Sequence, residues 1–223
     1  KLAFFETPSN PTLEIVDIAG VADIAHKFGA RVVVDNAFAS PALQRPMEFG
    51  ADIVVHSSTK YIDGQGRAMG GVILCKEDFL KDYLQIFLRN TGPAMSPFNA
   101  WVHLKSLETL DLRMAAHCRN AAATADFLAT QKNVRQVLYP FREGAGANHP
   151  QIALAKKQMS GGGGVVTFEV AGGKKEAFKV AKALKLVDIS NNLGDTKSLL
   201  THPATTTHQR LTTEARLAGG GTH

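Results

Sequence analysis

Residues 32–60 read VVVDNAFASPALQRPMEFGADIVVHSSTK, and this stretch decides the fold. A β-branched run, Val32-Val33-Val34, ends at Asp35. A second, Ile53-Val54-Val55, ends just before Ser57-Ser58-Thr59-Lys60. Continuous β-branched runs of this kind read as strands covered on both faces. Upstream, Thr12 and Glu14 open a helical stretch from about Ile15 to Phe28, with Ile15, Ile18, Ala22 and Ala25 on one face and Gly29 as its stop. Before that, Leu2 to Phe5 reads as a strand. Downstream, a glycine-rich loop (Gly64, Gly66) leads to Gly70-Gly71 and a further strand, Val72-Ile73-Leu74-Cys75. This rhythm of strand, helix, strand, connection and strand predicts an α/β fold with a mostly parallel sheet flanked by helices.

Farther along, Ser96 to Thr130 predicts helix, as two helices meeting near Asp111 to His117. Short strands and helices then alternate: Val134 to Leu138, Ile152 to Gln158, Val165 to Val170, Lys174 to Leu184, Val187 to Ser190, and Ser198 to Thr201. The change of rhythm predicts a large α/β domain over 1–111 and a smaller α+β C-terminal domain over 112–223. Gly161 to Gly164 reads most simply as a flexible lead-in to the strand at Val165. The chain begins without Met inside an apparent strand and stops at Gly219-Gly220-Gly221-Thr222-His223 without a closing element, which reads as a piece of a longer protein.

At 223 residues, 44% hydrophobic and 20% charged, the chain has the composition of a globular protein with a sizeable core. No apolar run reaches the roughly 18 residues a membrane span needs, and Lys1-Leu2-Ala3-Phe4-Phe5 does not read as a signal peptide. Two cysteines, Cys75 and Cys118, make no disulfide framework. A cytoplasmic location is the expectation. The net charge of +5 raises the question of nucleic acid, but the basic residues are dispersed. The densest set, Lys174, Lys175, Lys179, Lys182 and Lys185, alternates with Ala177, Phe178, Ala181 and Leu184 at helical spacing and reads as the solvated face of an amphipathic helix. Neither nucleic acid nor membrane is an expected partner.

In open α/β sheets ligands gather where parallel strands end. Asp35 and the Ser-Ser-Thr-Lys run stand at two such ends. Taken singly, Asp35 reads as a turn or cap residue and Lys60 as a loop lysine. Together, a carboxylate and an amine on neighbouring strand tips can approach one small ligand from two sides.

Val32-Val33-Val34-Asp35-Asn36, Pro41-Ala42-Leu43-Gln44-Arg45-Pro46 and Gly50-Ala51-Asp52-Ile53-Val54-Val55-His56-Ser57-Ser58-Thr59-Lys60-Tyr61 resemble the pyridoxal-phosphate (PLP)-dependent Cys/Met metabolism family. The likeness runs upstream through Glu6-Thr7-Pro8-Ser9-Asn10-Pro11. It continues downstream through Asn192-Leu193-Gly194-Asp195 and Ser198-Leu199 to His202-Pro203-Ala204-Thr205-Thr206-Thr207-His208. Asp63-Gly64-Gln65-Gly66-Arg67 looks most like the bacterial O-succinylhomoserine sulfhydrylases of that family. The resemblance implies fold type I of the PLP-dependent transferases and pyridoxal 5′-phosphate as cofactor. It implies Lys60 as the lysine that holds the cofactor and moves protons, and Asp35 as partner of the pyridine nitrogen. Ser57 and Thr59 match phosphate-binding hydroxyls; on an extended segment, two residues apart, they point the same way. Asn10 matches an asparagine near the ring hydroxyl and the substrate, and Ser198 lies where the family touches the substrate α-carboxylate.

The implied reaction is γ-replacement on O-succinylhomoserine with sulfide, giving homocysteine, in a homo-oligomer built as a dimer of dimers. Cystathionine γ-synthase or methionine γ-lyase activity, or an inactive fragment or assembly module, are the alternatives. Ala37 and Ala42 depart from the Thr and aromatic residue common in relatives. The family's ring-stacking tyrosine, neighbour-subunit phosphate ligands and substrate-carboxylate arginine match no position here. Rival motifs are weak. Ser57-x-x-Lys60 resembles the nucleophile motif of penicillin-binding proteins but lacks its companions. Gly64-x-Gly66 meets Met69 where a dinucleotide-binding loop needs its third glycine. The eight histidines do not cluster at ligand spacings, and a metal shared by His202 and His208 is a weak alternative. Trp101, Met95 and Met114 read as core or interface packing.

Overall fold

A computed structural model describes residues 1–143, 149–212 and 214–215. The closing glycine run noted above lies outside them.

The apolar runs become β1 (Leu2–Glu6), β2 (Arg31–Asp35) and β3 (Ile53–Ser57), joined by α1 (Ile18–Lys27) and then by α2 (Ser40–Leu43) with a short 3-10 turn, Pro46–Phe49. β1 pairs parallel with β2, and β2 with β3 in the register Val33–Ile53, Val34–Val54 and Asp35–Val55. β4 (Gly71–Cys75) closes the sheet antiparallel to β3. The order β1-β2-β3-β4 is therefore mostly parallel, as expected.

Side chains alternate across a strand, so Val32, Val34 and Val54 point to one face. There they pack with Ile18, Ala22 and Ala25 of α1 into one core. Asp35, Val55 and Ser57 belong to the opposite face. That face is not covered along its whole length: Leu2 and Phe4 are each 61% exposed.

α1 begins three residues later than Ile15. Asp17 is its cap, accepting from the Gly20 N–H, and residues 13–17 stay outside the helix although Ile15 is buried. A short polar side chain at this position satisfies an N–H that would otherwise have no partner, which fixes the start. Gly29, with φ +63°, ends the helix as read from the sequence.

After β4 a helical run absent from the sequence reading follows: α3 (Glu77–Phe79), a wide turn Leu80–Leu84, and α4 (Gln85–Thr91). None of its residues is buried. α5 (Pro97–Leu107) and α6 (Leu110–Ala129) then meet at Glu108–Thr109, earlier than the expected Asp111 to His117. Met114 is core, whereas Trp101 is 58% exposed.

α6 runs unbroken across position 112. Its first turns pack on Tyr61 and its later ones, with Ala121 and Ala125, on β5 (Val134–Leu138) and β6 (Thr167–Val170). α7 (Ile152–Gln158), α8 (Gly173–Ala183), β7 (Asp188–Ile189), β8 (Leu199–Leu200) and a 3-10 turn, Pro203–Thr205, follow. The α8 lysines 174, 175, 179 and 182 are exposed, as is Lys185 beyond it, in keeping with a solvated face.

Gly161–Gly164 is not a slack lead-in. A Cβ on Gly162 would stand 2.5 Å from the Tyr139 ring, and one on Gly164 2.8 Å from the Tyr61 hydroxyl. The Tyr139 hydroxyl donates to Gly163 O at 3.1 Å. The glycines are needed because two tyrosines lie against their backbone.

Candidate active site

Three parallel strands end together, which brings three loops to one edge of the sheet. Asn10 lies in the turn after β1, Asp35 ends β2, and Ser57 ends β3 with Lys60 three residues on. Asn10 is exposed, and its N–H donates to Glu6 Oε2 at 2.9 Å. Asp35 is half-buried; its Oδ1 accepts from the Ala37 N–H at 3.0 Å, leaving Oδ2 for another partner. Asp35 and Ser57 share the face opposite α1.

The chain does not stay extended through Thr59. Residues 58–62 form one wide helical turn closed by the Asp63 N–H to Ser58 O at 2.8 Å. The expectation that Ser57 and Thr59 point the same way therefore fails at its premise. The Thr59 hydroxyl instead turns to the Gly70 backbone, accepting from its N–H at 3.0 Å and donating to its carbonyl at 3.3 Å. Within the turn Lys60 departs from helical geometry (φ −89°, ψ −124°).

The Lys60 amine is half-buried and donates to Asn192 Oδ1 at 2.8 Å. Burial lowers its pKa from the ordinary lysine value, because desolvation disfavours the charged form. The partner is a neutral carboxamide, so no carboxylate in that bond pulls the pKa back up. Asn192 reaches Lys60 because Gly194 (φ +81°) lets its loop lie directly on the lysine turn: a Cβ there would meet Tyr61 N at 2.5 Å and Lys60 C at 2.8 Å. Thr196 N–H to Gly64 O at 3.0 Å ties the same loop down.

Asn192 received no role from the sequence. Its only signal was that the likeness extended through Asn192–Asp195. Ser198 is exposed just before β8, where its carbonyl accepts from the Asp188 N–H at 3.0 Å. The pair from this C-terminal loop that meets the lysine is Asn192 and Gly194.

Beneath the site His56 is buried, and burial lowers its pKa. Glu6 sits near Asp35, its pKa raised mainly by burial. Asp63, fully buried, accepts from Arg67 through the main-chain N–H at 2.7 Å and Nε at 3.2 Å, which staples the Asp63–Arg67 loop. An accessible amine with lowered basicity, a carboxylate with a free oxygen on the next strand tip, and a hydroxyl on that carboxylate's face form a donor set that fits a phosphorylated pyridine aldehyde.

The sequence profile of the family described as Cys/Met metabolism PLP-dependent enzyme matches residues 1–223. An O-succinylhomoserine sulfhydrylase of Pseudomonas aeruginosa is 52% identical over 221 residues, 99% of this chain and 53% of that protein. One of Mycobacterium tuberculosis is 53% identical over 226 residues, 99% and 54%. An L-methionine gamma-lyase of Porphyromonas gingivalis is 44% identical over 220 residues, 98% and 54%. The crystal structure of a cystathionine gamma synthase from Xanthomonas oryzae pv. oryzae, in complex with aminoacrylate and cysteine, superposes with a TM-score of 0.94 at 42% identity, covering 100% of this chain and 56% of that one. The chain thus spans about half the length of the relatives it matches. With the profile matching throughout and the fold shared, the chain belongs to the PLP-dependent Cys/Met metabolism enzymes.

Proposed function

We propose that this chain carries the cofactor-holding half of a PLP-dependent enzyme that replaces the γ-substituent of O-succinylhomoserine with sulfide. The observation that carries the reading is the half-buried amine of Lys60, bound to a carboxamide and lowered in pKa, at the sheet edge where Asp35 ends the neighbouring strand. Pyridoxal 5′-phosphate, when bound, supplies an aldehyde for the lysine and an electron-accepting ring.

Lys60 would hold the cofactor, and Asp35, through its free carboxylate oxygen, would hold the ring nitrogen in its protonated form. Ser57 would donate to the phosphate. Thr59 would do so only by giving up its bond to Gly70 O. The Lys60 amine would take the Cα proton as a base and then deliver protons as an acid, roles that suit a lysine of lowered pKa. Asn192 keeps that amine in place between transfers. Asn10 and Ser198 are assigned to the substrate side, and Asn192 joins them there. Succinate leaves Cγ and sulfide takes its place, so one O-succinylhomoserine and one sulfide give one homocysteine and one succinate.

The sulfhydrylases at 52% and 53% identity favour this over the lyase and synthase readings. The assembly proposed is a homo-oligomer in a cytoplasmic setting, with small amino acids as substrates. Steady-state assays of the full-length protein decide between the readings. Homocysteine formed from O-succinylhomoserine and sulfide, faster than from the O-acetyl ester or with cysteine as donor, is expected. Methionine cleavage as the fastest reaction refutes the proposal in favour of a lyase.

A further inference from the structure

The turn that carries Lys60 ends abruptly, and its last carbonyls need donors. Ser58 O accepts from the Asp63 N–H and Lys60 O from the Gly64 N–H, both at 2.8 Å. The next two, Tyr61 O and Ile62 O, belong to the last two residues of the turn, whose carbonyls point beyond its end. Arg113, in the first turn of α6, takes both, through Nη1 at 2.6 Å and Nη2 at 3.3 Å. The same guanidinium is aimed from behind by α5 and its end: Nη2 also donates to Ser106 O at 3.0 Å and Nε to Thr109 Oγ1 at 3.1 Å. Gly64 leaves the space the guanidinium fills, since a Cβ there would overlap Arg113. A second tie from α5, buried His103 Nε2 to Ser58 Oγ at 3.3 Å, holds the start of the turn.

We propose that Arg113 is a positioning residue for Lys60. It grips the backbone immediately after the lysine by two charge-assisted hydrogen bonds and so fixes where the amine is presented. A planar fork matches two adjacent carbonyls, whereas an ammonium offers a single point charge. Arg113 also belongs to the helix that carries Ala121 and Ala125 into the core with β5 and β6. Arg113 thus ties the lysine turn to that helix, alongside the contacts of the Asn192–Gly194 loop. The inference rests on the reading of Lys60 as the cofactor lysine.

The test is reductive capture. The intact protein is incubated with pyridoxal 5′-phosphate, reduced with borohydride and peptide-mapped, and the yield on Lys60 is divided by that on the other lysines. In the parent protein Lys60 is expected to dominate. In Arg113→Met the ratio should fall at least fivefold, and in Arg113→Lys by an intermediate amount, while both variants unfold at matching temperatures. A merely structural role moves the two ratios with the melting temperature rather than with the donor geometry. Thr109→Val, which removes the Nε partner together with that hydroxyl's own bond to Ser106 O at 3.2 Å, should lower the ratio about twofold and serves if Arg113→Met does not fold. Folded Arg113→Lys and Thr109→Val with the parent ratio overturn the inference and leave the Lys60 reading standing. Absence of capture at Lys60 in the parent protein removes both.

Discussion

Replacing Asn192 by Asp puts a carboxylate where a neutral carboxamide now meets the Lys60 amine at 2.8 Å. A unit charge pair at that distance interacts by about 1.5 kcal/mol in water and about 6 kcal/mol at an effective dielectric of about 20. The amine is only half-buried, so the lower figure applies. At about 1.4 kcal/mol per unit, it raises the Lys60 pKa by about one unit. The sign is fixed, because the carboxylate favours the charged amine while burial, which now lowers the pKa, opposes it. Competitive acetylation across pH, read at Lys60 by mass spectrometry against the remaining lysines, gives the midpoint directly and requires no cofactor. Asn192→Asp should shift that midpoint upward by about one unit and slow acetylation of Lys60 near neutral pH about tenfold. Asn192→Ala, which removes the acceptor and adds no charge, should not raise it. A midpoint in Asn192→Asp within about 0.3 unit of the parent value, or below it, refutes the geometry on which the site is built.

Gly194→Ala should be costly twice over. Left-handed backbone costs about 1–2 kcal/mol for a residue with a Cβ, and the contacts with Tyr61 N and Lys60 C add about 1–3 kcal/mol of overpacking. A melting temperature lower by roughly 5–15 °C is expected, and an unchanged one contradicts the packing of this loop. Gly162→Ala should lose about 1–3 kcal/mol in a denaturant titration, because its methyl meets the Tyr139 ring. No loss would mean that the glycine run is slack after all. The buried His56 imidazole has a pKa below the ordinary histidine value, so on acidification the unfolded chain takes up its proton first. The stability this contributes is present above the ordinary value and is lost as pH falls through the lowered one. His56→Asn should flatten the stability profile on the acid side of the ordinary histidine value; an unchanged slope assigns the acid sensitivity elsewhere.

The two central strands, β2 and β3, were legible because they are runs of β-branched residues, and packing confirms it: Val32, Val34 and Val54 are nearly fully buried. The strand tips, and with them Asp35 and Lys60, followed from the ends of those runs. Errors came where local pattern and tertiary contact part. Ile15 has the apolar character of a helix face yet lies before the cap at Asp17. The helical run 77–91 was not read from the sequence, and it carries Leu80, Ile86 and Phe87 exposed. Thr59 was read on a strand, but β3 ends at Ser57 and a turn begins. Asn192 and Arg113 were invisible for a different reason. They meet the lysine turn from 132 and 52 positions away in the chain, and no local periodicity encodes such a contact. The glycines pressed against the tyrosines, like Gly194 on the lysine turn, look in sequence like ordinary flexible positions.

The central claim is that the amine of residue 60 and the carboxylate of residue 35 serve one pyridine ring. A crystal structure of the full-length protein grown with pyridoxal 5′-phosphate tests it most directly. The account predicts electron density continuous from Lys60 Nζ into the cofactor, with the ring nitrogen within hydrogen-bond distance of an Asp35 carboxylate oxygen. Cofactor density joined to another lysine, or a ring nitrogen facing a residue other than Asp35, would contradict it.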